Sequence, residues 1–222
     1  MEKVPFSVYD FFAYLSSGSI LLAAFDYIFG FSLLSQEKIA PLFVVLLVVL
    51  AYVCGHIVAH FSSFLYEHIA VSRLLKRPNE LLMGGTPKWI QRAIFPNYCR
   101  PLPHEVQQRI GVRTKSRDFR GKGEGLFLHC YAVVTADDTR QNRLDAFRNQ
   151  YGFARNMSFA FLVAAVGIIT AHYVGVHPVR LRWAVLSGLA SITLFYRYLK
   201  FFRQFSYEMF LRYAELEPAK ES

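Results

Sequence analysis

Residues 41–66 read PLFVVLLVVLAYVCGHIVAHFSSFLY, and this stretch decides the fold. Ahead of its two histidines the one strongly hydrogen-bonding side chain is Tyr52, and no residue in it carries a fixed charge. As a helix, its 26 residues would reach about 39 Å at 1.5 Å per residue, against a hydrocarbon core of about 30 Å. A soluble helix needs a polar face, and before His56 there is none. Lipid is the solvent such a segment requires.

Composition agrees. Hydrophobic residues make up 54% of the 222, aromatics 16% and charged residues 18%, where soluble chains run near 45–50% apolar and about 25% charged. The net charge of +9 is localised. Residues 68–155 hold 16 Lys or Arg and 7 Asp or Glu, or 16 − 7 = +9, while the rest holds 9 of each sign. Three cysteines (Cys54, Cys99, Cys130) form no CxxC pair and no even disulfide framework, which fits a reduced, cytosol-facing protein. The opening MEKVPFSVYDFF lacks the pattern of a cleaved signal peptide, so the first span is expected to insert and stay.

Working outward from 41–66, the run before it gives a first span over about 9–34, either one kinked helix or a short interfacial helix that bends at Gly18 after Ser16-Ser17. A tiny loop, Ser35 to Lys38, makes spans one and two a hairpin. Helix two is expected to continue past Tyr66 until Pro78 stops it. Short helices opened by proline are expected in PKWIQRAIF and PLPHEVQQRIG, an exposed basic loop in RTKSRDFRGKGEG, and a buried helix or strand in GEGLFLHCYAVV. Leu144, Phe147, Tyr151 and Ala154 form a narrow apolar stripe on a helix that enters a third span at 156–175. A fourth span occupies about 179–199, with its core at 183–196, and its continuation carries the stripe Phe202, Phe205, Met209, Tyr213, Leu216. The expected fold is therefore all-α: a four-transmembrane-helix bundle with helical cytosolic extensions and a cytosolic insertion between spans two and three. Its segments are a first hairpin (1–67), a basic cytosolic segment (68–155), a second hairpin (156–199) and a cytosolic C-terminal helix (200–222). Five further Lys or Arg lie in 197–220, and the short loops carry only Lys38, Arg180 and Arg182. The positive-inside rule then places both termini and the basic segment in the cytoplasm.

His56 and His60 share a helix face, and Glu67, 11 residues beyond His56, returns to it on an α-helix. With Asp10 entering from the same side, two imidazoles and two carboxylates could bind a divalent metal. The plainer use is hydrogen bonding between helices, since no HExxH or second HxxxH is present. Asp26 lies about 24 Å of helix from Asp10; such a carboxylate faces protein, a wet pore or the outer interface, where Lys38, Arg180 or Arg182 could meet it. Small residues recur at four-residue spacing (Ser19/Ala23, Ala160/Ala164, Gly167/Ala171, Ser187/Ser191), which suits close helix contact and a homo-oligomer. The run Arg109, Arg113, Lys115, Arg117, Arg120, Lys122 could bind phosphate groups of lipid, nucleotide or nucleic acid, with anionic lipid the favoured partner and nucleic acid the less favoured one. The adjacent pairs His104-Glu105 and His129-Cys130 have poor metal spacing. No phosphate loop, GxSxG or kinase signature occurs, and no residue set points to a cofactor.

The stretch YDFFAYLSSGSILL at the start and YGFARNMSFAFL at the entry to span three are similar to segments of small bacterial inner-membrane proteins. Several such families are membrane components of antiphage defence systems, the four-span component of the Kiwa system among them. The resemblance implies a membrane-embedded oligomer that senses envelope disturbance or holds a cytosolic protein at the membrane, and it carries over no catalytic residue. Three functions follow as expectations: a non-enzymatic scaffold or sensor that recruits a cytosolic partner, a pore or ion-conducting effector lined by Asp26 and the histidine face, and a metal-dependent intramembrane enzyme.

Overall fold

The computed structural model describes residues 8–33, 40–117, 119, 121–136, 141–175 and 178–216. Lys38 and Arg120 lie outside them. The described residues form helices, turns and irregular connections, with no strand among them. The helices are α1 (Val8–Phe29), α2 (Pro41–Ser62), which continues as a π-helix (Ser63–Leu75), α3 (Pro78–Leu82), α4 (Trp89–Ile94), α5 (His104–Ser116), α6 (Glu124–Thr135), α7 (Gln141–Val174) and α8 (Leu181–Glu215). Three of them are long and apolar enough to cross a membrane: α1, the helix that begins at Pro41, and α7. In α8 the apolar run between Arg182 and Arg197 is 14 residues, about 21 Å of helix against a core of about 30 Å.

The chain divides into two compact units, Met1–His68 with Tyr151–Tyr198, and Ile69–Gln150 with Leu199–Ser222. In the first, α1 is one continuous helix, so the interfacial helix bending at Gly18 is not what forms. Ser17 explains why: its buried hydroxyl donates within the helix, to the carbonyl of Ala13 at 3.0 Å or Tyr14 at 3.1 Å, so the polar pair ahead of Gly18 leaves no competing backbone arrangement. Gly18 serves close approach instead. A β-carbon there would fall 1.7 Å from the carbonyl oxygen of Ala51 in α2, and one on Gly55 would fall 1.9 Å from that of Tyr14. Ala13, Ser17 and Gly18 of α1 are thus buried, while Ser19 is exposed. α2 starts where Ala40 is extended and Pro41 takes the first helical position, as proline's fixed φ allows. At the far ends of α1 and α7, Ile28, Ile168, Ala171, Val179 and Ala184 form a small core with Tyr27 against it. The Tyr27 hydroxyl accepts the Arg180 N–H at 2.8 Å.

Outside these contacts the first unit presents apolar side chains: Leu42, Val45, Leu46, Val49, Leu50, Val53 and Ile57 on α2, and Val185, Leu186, Leu189 and Ile192 on α8 are all exposed. Contiguous exposed apolar surface of this extent is foreign to soluble monomers.

The second unit has an ordinary apolar core. Leu81, Leu82, Ile110, Cys130, Val134, Leu144, Met209, Phe210 and Tyr213 are all 2% exposed or less. Phe205, Met209 and Tyr213 of the expected α8 stripe are buried here. GEGLFLHCYAVV is a helix, with Leu126, Cys130 and Val134 on its buried face. α5 runs on to Ser116, so Arg113–Ser116 is helical where a loop was expected from polarity. Thr114 accounts for this: it is buried, and its hydroxyl donates to the carbonyl of Ile110 at 2.9 Å or Gly111 at 3.0 Å. The π-helix ends at Lys76, which adopts a left-handed φ of 59°. Its carbonyl accepts the Tyr98 hydroxyl at 3.0 Å and its ammonium donates to the Thr86 carbonyl at 3.0 Å.

Candidate functional site

A polar seam lies within the first unit, between the end of α2 with the first turn of the π-helix, α7 and α8. α2 delivers Ser62, and the π-helix delivers Tyr66 and Glu67. α7 supplies Arg155, Asn156 and Ser158; α8 supplies Ser191. The Ser62 hydroxyl donates to Asn156 Oδ1 at 2.8 Å, and the same oxygen accepts Arg155 Nε at 3.2 Å. The Arg155 guanidinium forms an ion pair with the Glu67 carboxylate. The Ser158 hydroxyl donates to the Ser191 carbonyl at 2.8 Å, and the Ser191 hydroxyl returns a bond to the Ser158 carbonyl at 2.9 Å. The Tyr66 hydroxyl, 3.0 Å from Ser158 Oγ, therefore donates to it. Ser62, Asn156, Ser158 and Ser191 are all buried. In a medium without water, each such group is affordable only when satisfied by another.

The chemistry this allows is positional. Both serines use their hydroxyl protons on backbone carbonyls. What the seam does is fix three helices in one register through reciprocal bonds, with one charge pair at its edge.

The sequence-level candidates are dispersed. Asp10 sits in the first turn of α1, where a carboxylate favours the helix dipole. Asp26 Oδ1 accepts the N–H of Leu33 at 2.8 Å, closing the turn in which Gly30 and Ser32 take positive φ; it acts as a turn cap. The His56 ring stacks on Tyr14 at 4.1 Å and meets Tyr52 edge-on at 4.7 Å, and His60 lies beside Phe61. Both histidines are exposed, whereas Glu67 pairs with Arg155. The π-helix is part of the reason: its i→i+5 turns take more residues per revolution, so Glu67 falls short of the face an α-helix would give it. Among the described residues no group of three or more His, Cys, Asp or Glu is placed to hold a metal. Of the basic run, Arg109, Lys115, Arg117 and Lys122 are exposed, and Arg113 donates to the Tyr213 carbonyl at 3.3 Å near the end of α8, where helix carbonyls lack partners.

Ser62, Tyr66, Arg155, Asn156 and Ser158 escape a reading by motif. The available signal is their polarity inside an apolar context: RNMS opens the apolar half of α7, and Ser62 and Tyr66 share a face of the second span.

The second unit holds two further polar features. Glu208, 5% exposed, accepts Arg212 Nε at 3.1 Å and lies 3.4 Å from Arg143 Nε. It lines an open cleft of about 570 Å³ with Gln204, Tyr207, Leu211 and Glu215. Burial pushes the Cys130 thiol up to about 12, which removes it as a nucleophile at neutral pH. Its neighbour His129 stacks on Phe119 at 4.3 Å, with Nε2 3.3 Å from the Tyr213 hydroxyl. Burial, reinforced by the nearby Arg117, holds the His129 imidazole below the ordinary histidine range. The folded chain thus resists a proton that the unfolded chain accepts. Stability from this group is intact above about pH 6.5 and declines as pH falls through and below that value. Thermal unfolding at about pH 7.5 and about pH 5.5 should show a smaller acid penalty in His129→Phe than in the parent. Equal penalties in the two proteins would refute this assignment.

Compared with protein-family models, curated proteins and solved structures, the chain matches none.

Proposed function

We propose that this chain is a four-span protein of the bacterial inner membrane that acts without catalysis, as an oligomeric scaffold or sensor presenting its basic unit to a cytosolic partner. One observation carries the reading: the helix from Pro41 to Leu75, α7 and α8 each contribute residues both to a unit surfaced with exposed Leu, Val and Ile and to a unit with an ordinary buried core. Such helices run from a lipid-facing part into a water-facing part. The fourth span is α8. Its apolar run is short, but Arg182 and Arg197 bound it, and arginine stems reach to the interface from such positions. Arg182 also lies over the Trp183 ring at 5.4 Å, an aromatic placement typical of membrane boundaries. The inward orientation rests on the +9 of residues 68–155. Antiphage defence is the setting that the sequence resemblance suggests.

The test is topological first. A phosphatase reporter fused near Lys122 should be inactive and a cytosolic reporter there active, in cells where both are expressed to equal levels. Native mass measurement in detergent should give a defined oligomer, and the basic unit should capture a specific cytosolic protein that a charge-reversed form loses. A chain that is monodisperse in plain buffer, or a phosphatase active near Lys122, would overturn the reading.

A further inference from the structure

We infer that α4 is an interfacial helix that docks onto the bilayer surface, its tryptophan among the headgroups and its cations on lipid phosphates. This rests on the membrane reading above. At 100° per residue, the described side chains of α4 and the lysine before it separate cleanly. Gln91 points inward: it is buried, its amide donates to the Leu74 carbonyl, and its oxygen accepts the Lys88 N–H at 2.9 Å. Opposite Gln91 lie Trp89, 78% exposed, and Ala93, also exposed. To one side are the exposed Lys88 and Arg92, and to the other is Ile94, 50% exposed. The helix therefore carries an apolar strip beside a cationic strip, with no acidic residue on it.

Two observations select lipid over a protein partner. The charge is complementary to anionic headgroups, and an indole flanked by cations is the composition of surface-lying helices. A six-residue helix offers far less than the ~1,000 Å² that a specific protein interface needs.

The chain contains two tryptophans, so Trp183→Phe leaves Trp89 as the sole reporter and Trp89→Phe leaves Trp183. Both full-length proteins are placed in detergent, in phosphatidylcholine nanodiscs and in nanodiscs with added phosphatidylglycerol. Expected: acrylamide quenching of Trp89 falls by more than half in the phosphatidylglycerol discs relative to detergent, and brominated acyl chains quench it. Lys88→Gln and Arg92→Gln each shift the docked-to-undocked ratio by about fivefold. The inference fails if Trp89 stays open to acrylamide in every bilayer. It fails equally if Trp89 is shielded in detergent as well and bromolipid never reaches it, the signature of a protein covering. Trp183 separates the two levels: bromolipid quenching of Trp183 without Trp89 sinks the docking alone, and quenching of neither sinks the membrane reading.

Discussion

Alanine at Gly18 or Gly55 is expected to open the α1–α2 pair, and leucine at either position to abolish it. The β-carbon is enough, because it would fall 1.7 Å from the Ala51 carbonyl oxygen in one case and 1.9 Å from the Tyr14 carbonyl oxygen in the other. Those neighbours are backbone inside helices and cannot swing aside, so the helix axes must separate. Separation then removes dispersion contacts along the whole crossing, and in lipid no hydrophobic force restores them. Overpacking in cores costs about 1–3 kcal/mol where side chains can adjust; here about 3 kcal/mol is expected for each alanine. Glycines in the same molecule supply the control. A β-carbon on Gly111 or Gly188 meets nothing within 4 Å, and alanine there should be neutral or stabilising by about 0.5–1 kcal/mol. Equilibrium unfolding in mixed micelles measures both sets. Gly18→Ala that unfolds with the parent would refute the close crossing.

That crossing also shows what one dimension hides. The length and apolarity of residues 41–66 announce a helix in lipid, and the same holds for α1 and α7. Gly18, however, reads as a break after two serines, since the residue it makes room for is Ala51, 33 positions later. The serine signal was misleading because the Ser17 hydroxyl is absorbed within its own helix. Thr114 misleads in the same way in α5. Leu126, Cys130 and Val134 of α6 did carry a helical spacing of four, but the short, mostly apolar run from Leu126 to Val134 admits a strand equally well. The π-helix has no residue signature, so the rotation that takes Glu67 off the histidine face could not be anticipated. The seam followed the same logic: polar residues in apolar helices were visible one at a time, and their pairing was not.

Arg155→Met is expected to destabilise the first unit by about 2 kcal/mol, and Glu67→Gln by about 1 kcal/mol. Breaking a fully buried ion pair costs about 3–5 kcal/mol. Here the side chains retain 15% exposure at Arg155 and 30% at Glu67, so solvent relieves part of the isolated charge. The two substitutions are unequal because a glutamine oxygen still accepts from the guanidinium, whereas methionine leaves the carboxylate facing an apolar side chain and also removes a donor from Asn156 Oδ1. A double-mutant cycle isolates the pair and should give a coupling of about 1–2 kcal/mol. The reciprocal serines offer a comparison: Ser158→Ala and Ser191→Ala each break bonds of the kind worth about 0.6 kcal/mol between membrane helices, so the charge pair should dominate. Salt discriminates further. An exposed pair is screened at about 1 M ionic strength, and this one, largely enclosed on the arginine side, should keep most of its coupling. Strictly additive single effects, or a coupling that vanishes in salt, would mean that Glu67 and Arg155 meet only as surface charges and that the seam ends at Asn156.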